Sequence, residues 1–338
     1  MPEKTIPNFD AFRMNTTPKI SIVVPCHNEE KNVSQMALRV SSVMRGIGMS
    51  YELIFINDGS RDHTLDNVLE LARNNSSILV IDLARNFGHQ PAVSSGIDLA
   101  RGEAVVLIDG DLQDPPEVLP EMIAQWQKGY DVVYGQRERR HGDTFFKRLT
   151  AAIFYRFLRY CTQTNIPLDT GDFRLMDRKV VEAIKKMPEH HRFIRGMVSW
   201  VGFSQVAVRY TRQPRNAGDT NYPFWKMFLF ALDAITSFSV LPLRVVTVSG
   251  FFIIFLTSCY AFWILILRIF YPELIKPGLA AVNILIAFLG GAQLTCLGVV
   301  GEYVGRIYEE AKARPLYLIR NIYTHASPEL EKTTRDGR

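Results

Sequence analysis

The sequence has 338 residues, of which 47% are hydrophobic and 22% are charged, and its formal net charge at pH 7 is +5. This length suits one large or two ordinary domains, and the share of charged and apolar residues excludes a wholly disordered chain. The four cysteines are widely separated and form no C-x-x-C pair, so we expect free thiols and no structural zinc site.

The first half of the chain predicts an α/β domain. Residues 1–18 form a tail without the apolar core of a secretory signal, so we expect the domain that follows to stay in the cytoplasm. Beyond it, amphipathic helical stretches separate short apolar runs, which lie at 20–24, 52–56, 78–83 and 104–108. Buried strands alternating with helices predict a parallel sheet covered on both faces. Ligands of such sheets bind beyond the carboxyl ends of the strands.

The end of the fourth predicted strand carries a cluster of oxygen ligands. Asp109 and Asp111 are separated by one glycine, and Gln113 follows. Two carboxylates and an amide oxygen suit a hard divalent cation such as Mg²⁺ or Mn²⁺. The same stretch is also typical of a capped turn leading into a helix at 117–128, and both interpretations stay open.

Glycine-rich phosphate motifs are missing from the sequence. No G-x-G-x-x-G follows the first strand and no G-x-x-x-x-G-K-[ST] occurs anywhere, which disfavours a nicotinamide dehydrogenase and a P-loop NTPase. A diphosphate held through a metal and carboxylates fits a nucleotide-sugar donor instead.

Two segments near the C-terminus lack charged residues and histidine. The segments 245–267 and 279–301 are each longer than the roughly 20 apolar residues that a membrane-spanning helix needs. Basic residues flank the pair of segments, whereas the loop at 268–278 holds only two. This distribution predicts an inner-membrane protein with both termini in the cytoplasm. An aromatic juxtamembrane segment at 215–244 precedes the first span, and residues 302–338 form a cytoplasmic C-terminal segment.

Eight stretches of the sequence follow one another from about Lys19 to Tyr317. They read IVVPCHNEE, ELIFINDGSRDHT, RNFGHQPAVSSGIDLARGEAVVLIDGDLQDPPE, DVVYGQR, DTGDFRLMDR, RFIRGMVSWVGF, ITSFSVLPLR and GEYVGRIYEEAKARPLY. In this collinear order they resemble glycosyltransferase family 2, and within it the polyprenyl-phosphate glycosyltransferases. The resemblance implies a Rossmann-like GT-A catalytic domain over residues 19–214, followed by two transmembrane helices.

The resemblance also implies roles for individual residues on the donor side. Residues that match the nucleotide-binding and donor-side positions are Pro25, His27, Glu29, Asp58, Asp109, Gln113 and Arg137. The metal ligands are Asp109, Asp111 and Gln113, with Mg²⁺ or Mn²⁺ as the cofactor. The family usually carries tyrosine where this chain has His27.

Catalytic and acceptor-side residues are expected farther along the chain. Asp111 acts through the metal, and Asp169 and Asp172 are candidates for a general base, Asp172 being the one expected to face the acceptor. The alternative for Asp172 is a turn carboxylate paired with an arginine. Guanidinium groups bind phosphate in a bidentate manner, and the candidates for acceptor binding are Arg192, Arg195, Arg212 and Arg215.

The resemblance therefore implies inverting, metal-dependent transfer of one sugar, with UDP-glucose as the expected donor and undecaprenyl phosphate as the acceptor, for cell-envelope glycosylation. Other donors stay open, among them GDP-mannose, UDP-GlcNAc and a UDP-4-amino-arabinose derivative. The family also suggests a homotetramer, and nucleic acid is not an expected partner. The alternative from another class is a non-catalytic membrane scaffold, which has no reason to keep two facing carboxylates.

Overall fold

The computed structural model describes residues 17–137, 170–212, 241–270, 278–325 and 327. The chain divides into two compact units. One contains the N-terminal part together with the segment that begins at Pro315, and the other contains the two long helices near the C-terminus. The predictions for Asp169, for Arg215 and for most of the juxtamembrane segment lie outside the described residues.

The first unit is an α/β domain, as the sequence predicts. Each of the four predicted strands is present. In chain order the elements are β1 (Ile20–Cys26), α1 (Val33–Ile47), β2 (Tyr51–Asn57), α2 (Thr64–Asn74), β3 (Ile78–Leu83), α3 (His89–Leu99), β4 (Ala104–Leu107), α4 (Leu119–Gln127), β5 (Val132–Arg137), β6 (Thr170–Asp177), α5 (Arg178–Lys185), α6 (Ile194–Trp200), β7 (Gln205–Tyr210) and β8 (Ile319–Thr324). A single 3-10 turn, Pro116–Val118, precedes α4.

The strands of the described residues form one sheet in the order β7-β5-β6-β4-β1-β2-β3-β8. Its centre, β4-β1-β2-β3, is parallel. β6 runs antiparallel between β4 and β5, and β7 pairs parallel with β5. The parallel centre follows from the predicted alternation of strands and helices, whereas the place of β6 does not.

The sheet has an apolar core on each face because successive side chains of a strand point to opposite sides. Ile22 and Val24 of β1 belong to the core under α1, α2 and α4, while Val23 belongs to the core under α3, α5 and α6. In β2, Phe55 and Ile56 are divided between the cores in the same way. Both faces are covered, which explains the nearly continuous apolar sequence of these strands.

The C-terminal strand β8 extends the sheet beyond the boundary that the sequence analysis placed at residue 214. β8 pairs antiparallel with β3 and covers its outer edge. The Tyr317 hydroxyl donates a hydrogen bond to Asp98 of α3, over 2.7 Å, just before β8 begins. The segment assigned to a separate C-terminal region therefore contributes a strand to the α/β domain.

The second unit contains α7 (Leu241–Phe270) and α8 (Leu279–Lys312), which contact each other. The two predicted spans fall within these helices. Over the described residues, none of the helices combines the length and the apolar character that crossing a membrane requires. Membrane spanning stays a prediction at this point.

Gly96 allows α3 to lie directly on the sheet. A Cβ atom at this position would come within 2.4 Å of Cγ1 of Val23 and 2.9 Å of Cδ1 of Ile56. This close approach positions the N-terminal end of α3, which carries functional side chains described below.

We expect Gly96→Ala to destabilise the protein by about 1–3 kcal/mol, because the added methyl group overpacks the interface between α3 and the sheet. The midpoint of thermal unfolding in detergent measures the change. The matched control is Gly46→Ala in α1, where a Cβ atom meets nothing within 4 Å and helix propensity gains up to about 1 kcal/mol. Equal midpoints for the two variants would contradict the close packing of α3.

Candidate active site

The predicted site residues collect at one edge of the sheet. β1, β2 and β4 are parallel and end at this edge, and the loops that carry Asp58 and Asp109 follow the two strands that flank β1. β6 runs the opposite way, and its Arg174 pairs with Leu107 at the end of β4. Asp172, two residues earlier in β6, therefore lies beyond the end of β4, on the side of Asp109.

The turn after β4 holds the predicted metal ligands. Asp111 accepts a hydrogen bond from the backbone N–H of Gln113, with 3.1 Å between Oδ1 and N. Between them Leu112 is buried and has a left-handed backbone with a φ of 60°, which is unfavourable for a branched side chain. Strained residues of this kind persist where the surroundings fix them, and they cluster at functional sites.

Asp109 has an environment that favours binding of a cation. Burial raises its pKa to about 6; His89 opposes this shift, and the nearby carboxylates Asp172, Asp114 and Asp111 add to it. Holding several carboxylates together is unfavourable unless a proton or a metal ion compensates them.

The donors present fit Mg²⁺ or Mn²⁺, since both prefer carboxylate and amide oxygens. Asp109, Asp111 and Gln113 would be the ligands. In the described part of the chain, no three histidine, cysteine, aspartate or glutamate side chains form a ready-made metal site. The predicted ligands are two carboxylates and one amide, so they are not a group of three such side chains.

Asp172 is the centre of a buried polar network. Its Oδ2 lies 3.1 Å from Nε2 of His89 and 3.4 Å from Nε2 of Gln90, and its Oδ1 accepts a hydrogen bond from Nε of Arg195 over 2.7 Å. His89 also reaches Asp109, with 3.7 Å between Nε2 and Oδ1. One imidazole thus joins the predicted base to a predicted metal ligand.

The same contacts determine the protonation of Asp172. Burial by itself would raise its pKa, but the hydrogen bond with His89 and the positive charge of Arg195 outweigh burial and hold the pKa far below its ordinary value. A carboxylate that binds protons so weakly is a poor general base. Asp172 is better suited to orient the cationic groups that contact it.

Asp58 connects two loops at the end of the site where the resemblance places the nucleotide. Its buried carboxylate accepts hydrogen bonds from the backbone N–H groups of Phe87 and Gly88, at 2.7 and 3.0 Å. The resemblance assigns this carboxylate to the nucleotide base. The structure gives it a second task, because it holds the β3–α3 loop against the end of β2.

The loop after β1 contacts the same region. His27 is exposed, and its Nδ1 lies 2.9 Å from the backbone oxygen of Asp58. Glu29 accepts a hydrogen bond from Nδ2 of Asn32, at 2.5 Å, and Pro25 is part of β1. The three predicted nucleotide-binding residues of this loop therefore lie at the same edge as Asp58 and Asp109.

The predicted phosphate-binding arginines separate into three environments. Arg195 contacts Asp172, as described above, whereas the guanidinium of Arg192 donates to the backbone oxygens of Met187 and Glu189, at 3.0 and 3.3 Å. Arg137 and Arg212 meet at a buried carboxylate, Asp114. The structure thus brings Arg137, Arg195 and Arg212 to site residues and engages Arg192 with the backbone.

Three site residues were not predicted from the sequence: His89, Asp114 and Tyr210. His89 begins α3 and Tyr210 ends β7, so both lie where an element meets the functional edge. Asp114 stands directly after Gln113 in the same motif. Their positions at element ends were a usable signal, but their partners depend on the antiparallel placement of β6 and on β7.

The chain matches the sequence family described as "Glycosyl transferase family 2" over residues 21–185. It is 47% identical to an uncharacterized glycosyltransferase of Synechocystis sp., over 94% of this chain and 99% of that protein. It is 42% identical to the bactoprenol glucosyl transferase of Shigella phage SfV, over 90% of this chain and 98% of that protein. A prophage bactoprenol glucosyl transferase homolog of Escherichia coli is 41% identical over 90% and 99%.

The sheet has the Rossmann-like GT-A arrangement, and the family match and the relatives show that the protein is a glycosyltransferase. With these relatives matched over nearly their full lengths, the chain belongs to glycosyl transferase family 2. The family resemblance stated from the sequence motifs is confirmed.

We expect Asp58→Ala to destabilise the protein by on the order of 2–4 kcal/mol, because two backbone donors lose a charged acceptor. The midpoint of thermal unfolding should fall by several degrees. Asp58→Asn keeps one acceptor oxygen, so its midpoint should lie between those of Asp58→Ala and the wild-type protein. An unchanged midpoint together with lost UDP binding would show that Asp58 serves the nucleotide alone.

Proposed function

We propose that the protein transfers a single sugar from a nucleotide-sugar donor to a polyprenyl phosphate, with inversion at the anomeric carbon. The expected donor is UDP-glucose and the expected acceptor is undecaprenyl phosphate at the cytoplasmic face of the inner membrane. The product would be a lipid-linked sugar for the cell envelope. The observation that carries the proposal is the edge of the sheet where the carboxylates Asp109, Asp111 and Asp172 lie beside arginines. Carboxylates can bind a metal ion and arginines can bind phosphate. The names of the relatives agree with the proposal.

The donor side of this proposal rests on Asp109, Asp111 and Gln113. A divalent cation held by these three residues would neutralise charge on the departing nucleoside diphosphate, which can contribute several kcal/mol. The raised pKa of Asp109 supports this assignment, because a carboxylate crowded by others gains from a cation. The loops joined by Asp58 would hold the nucleoside.

The acceptor side needs cations more than it needs a base. A phosphate monoester has a second pKa of about 6, so a lipid phosphate is largely ionised at neutral pH. Its oxygen can attack without losing a proton to the protein. The low pKa of Asp172 agrees with this chemistry, and Asp172 would keep Arg195 and His89 in place beside the reacting groups.

We further propose that α7 and α8 anchor the protein in the membrane. The two charge-free segments of the sequence lie within these helices. Large apolar side chains are exposed on both, including Phe251 at 70% and Leu294 at 72%. Surfaces of this kind mark contact with lipid or with other protein chains.

Assembly into a homotetramer is part of the same proposal. In α8, a Cβ atom on Gly298, Gly301 or Gly305 would meet nothing within 4 Å, so each glycine leaves room for a neighbouring helix. Small residues at this spacing favour close packing of helices in membranes.

The decisive assay is transfer of labelled sugar from UDP-glucose to undecaprenyl phosphate by the purified full-length protein, with and without Mg²⁺ or Mn²⁺. Label in the organic phase that requires the metal would support donor, acceptor and cofactor together. If UDP-glucose gives none, the other nucleotide sugars are tested in turn. Failure of every donor, beside a working reference enzyme, would favour a non-catalytic scaffold.

We expect Asp111→Asn to reduce turnover about a hundredfold or more, since it removes one metal-binding charge. The thermal unfolding midpoint should change little, because Asp111 is only partly buried. The control is Asp66→Asn in α2, whose side chain is 75% exposed and pairs with His63 one turn away. Near-normal turnover of Asp111→Asn would remove Asp111 from the metal site.

Membrane anchoring predicts that the full-length protein stays with the membrane pellet after alkaline carbonate extraction. Phe255→Arg places a charge in the middle of the first apolar segment, at a cost of about 2.5–3.5 kcal/mol for insertion. We expect this variant to be recovered in the pellet less completely than wild type. Release of the wild-type chain into the alkaline supernatant would refute the anchor.

A further inference from the structure

The buried carboxylate of Asp114 joins two arginines that the sequence analysis assigned to different substrates. Asp114 is fully buried. Its Oδ1 lies 3.8 Å from Nη2 of Arg137, expected on the donor side, and 3.8 Å from Nε of Arg212, expected on the acceptor side. Tyr210 donates a hydrogen bond from its hydroxyl to the same oxygen. Both guanidinium groups are therefore gathered at one atom.

The protein leaves part of this cluster unsatisfied. Distances of 3.8 Å allow charge attraction but are too long for hydrogen bonds. Oδ2 of Asp114 and Nε of Arg212 are buried and have no hydrogen-bond partner among the residues that the structure describes. Such groups are rare in native proteins and call for an explanation. Two cations share one anion here, which leaves a net positive charge beside the predicted metal ligands.

Gly171 keeps open the space that Arg137 occupies. A Cβ atom on Gly171 would come within 2.7 Å of Nη2 of Arg137 and 3.7 Å of Oδ2 of Asp114. Arg137 is also tied to Tyr210, with 3.4 Å between Nε and the phenolic oxygen. Two features thus fix the position of the Arg137 guanidinium: the hydrogen bond with Tyr210 and the space left by Gly171, which has no side chain.

We propose that Asp114 and Tyr210 are positioning residues that hold Arg137 and Arg212 together as one binding site for a substrate phosphate group. Charged guanidinium groups repel, and the carboxylate between them makes their approach possible. Planar guanidinium groups pair with phosphate oxygens through two parallel hydrogen bonds, so their orientation matters as much as their charge. The inference rests on the proposed function for the source of the phosphate, which is either the donor diphosphate or the lipid monophosphate.

Position and charge make opposite predictions for Asp114→Asn. The change keeps the shape of the side chain and an oxygen that can accept from Tyr210, but it removes the negative charge. If Asp114 only neutralised charge, the site would become more positive and phosphate would bind more tightly. If Asp114 positions the arginines, they separate and phosphate binds more weakly.

The test is calorimetric titration of the full-length protein in detergent, with UDP in one series and citronellyl phosphate, a short polyprenyl phosphate, in another. We expect the dissociation constant of at least one ligand to rise about tenfold in Asp114→Asn. The ligand affected identifies the source of the phosphate. Tighter binding, or no change for either ligand, would overturn the proposal.

A thermodynamic cycle separates positioning from a general loss of structure. In an Arg137→Ala and Arg212→Ala background, Asp114→Asn should leave both dissociation constants unchanged, because nothing remains to be positioned. An effect as large as in wild type would show that Asp114 acts through the fold. Gly171→Ala should weaken binding of the same ligand, since it displaces Arg137 without removing a polar group.

Three further variants serve as controls for this interpretation. Glu52→Gln changes another buried carboxylate, which bonds Ser21 and Arg101 at the opposite edge of the sheet, and it should lower stability without changing either dissociation constant. If Asp114→Asn does not fold, Tyr210→Phe and Gly171→Ala take its place. Failure of wild type with every sugar donor would refute the proposed function, whereas intact transfer with unweakened binding in these variants refutes only the positioning role.

Discussion

The site depends on the antiparallel insertion of β6 between β4 and β5. In a wholly parallel sheet only the C-terminal ends of strands lie at the functional edge. β6 is antiparallel, so its N-terminal end lies there instead. Its pairing with β4 places Asp172 beyond the end of β4, within reach of His89 and, through His89, of Asp109. Asp172 is the member of this network that β6 itself contributes. The register of one strand therefore assembles the two halves of the site.

Two carboxylates at this edge have been given opposite properties by their surroundings. Burial and neighbouring carboxylates raise the pKa of Asp109, whereas His89 and Arg195 hold the pKa of Asp172 far below its ordinary value. Such divergence between nearby acids is a common way for enzymes to assign separate roles. In the function that we propose, it would separate a metal ligand, Asp109, from a residue that orients cations, Asp172.

The sequence predicted the parts of the fold that are encoded locally. Apolar runs predicted the four parallel strands. Asp109 and Asp111 were predicted as site residues because they directly follow the fourth of these runs. β6 and β8 were not predicted as members of the sheet, because pairing between distant antiparallel segments leaves no periodic signal. For the same reason Asp114 was not recognised, since its partners come from the ends of β5 and β7. The motifs identified individual site residues. Which side chains lie next to them became known from the pairing of the strands in the structure.

Because β8 pairs with β3, the sheet is completed late in the synthesis of the chain. β3 ends at residue 83, but its outer partner begins at residue 319, after both long helices. At a synthesis rate of roughly 5–20 residues per second, this edge waits on the order of ten to fifty seconds for its partner. An unpaired edge is a site where other chains can add strands. The edge of β3 is therefore covered only after both long helices have been synthesised, so the order of synthesis leaves this edge open to other strands in the meantime.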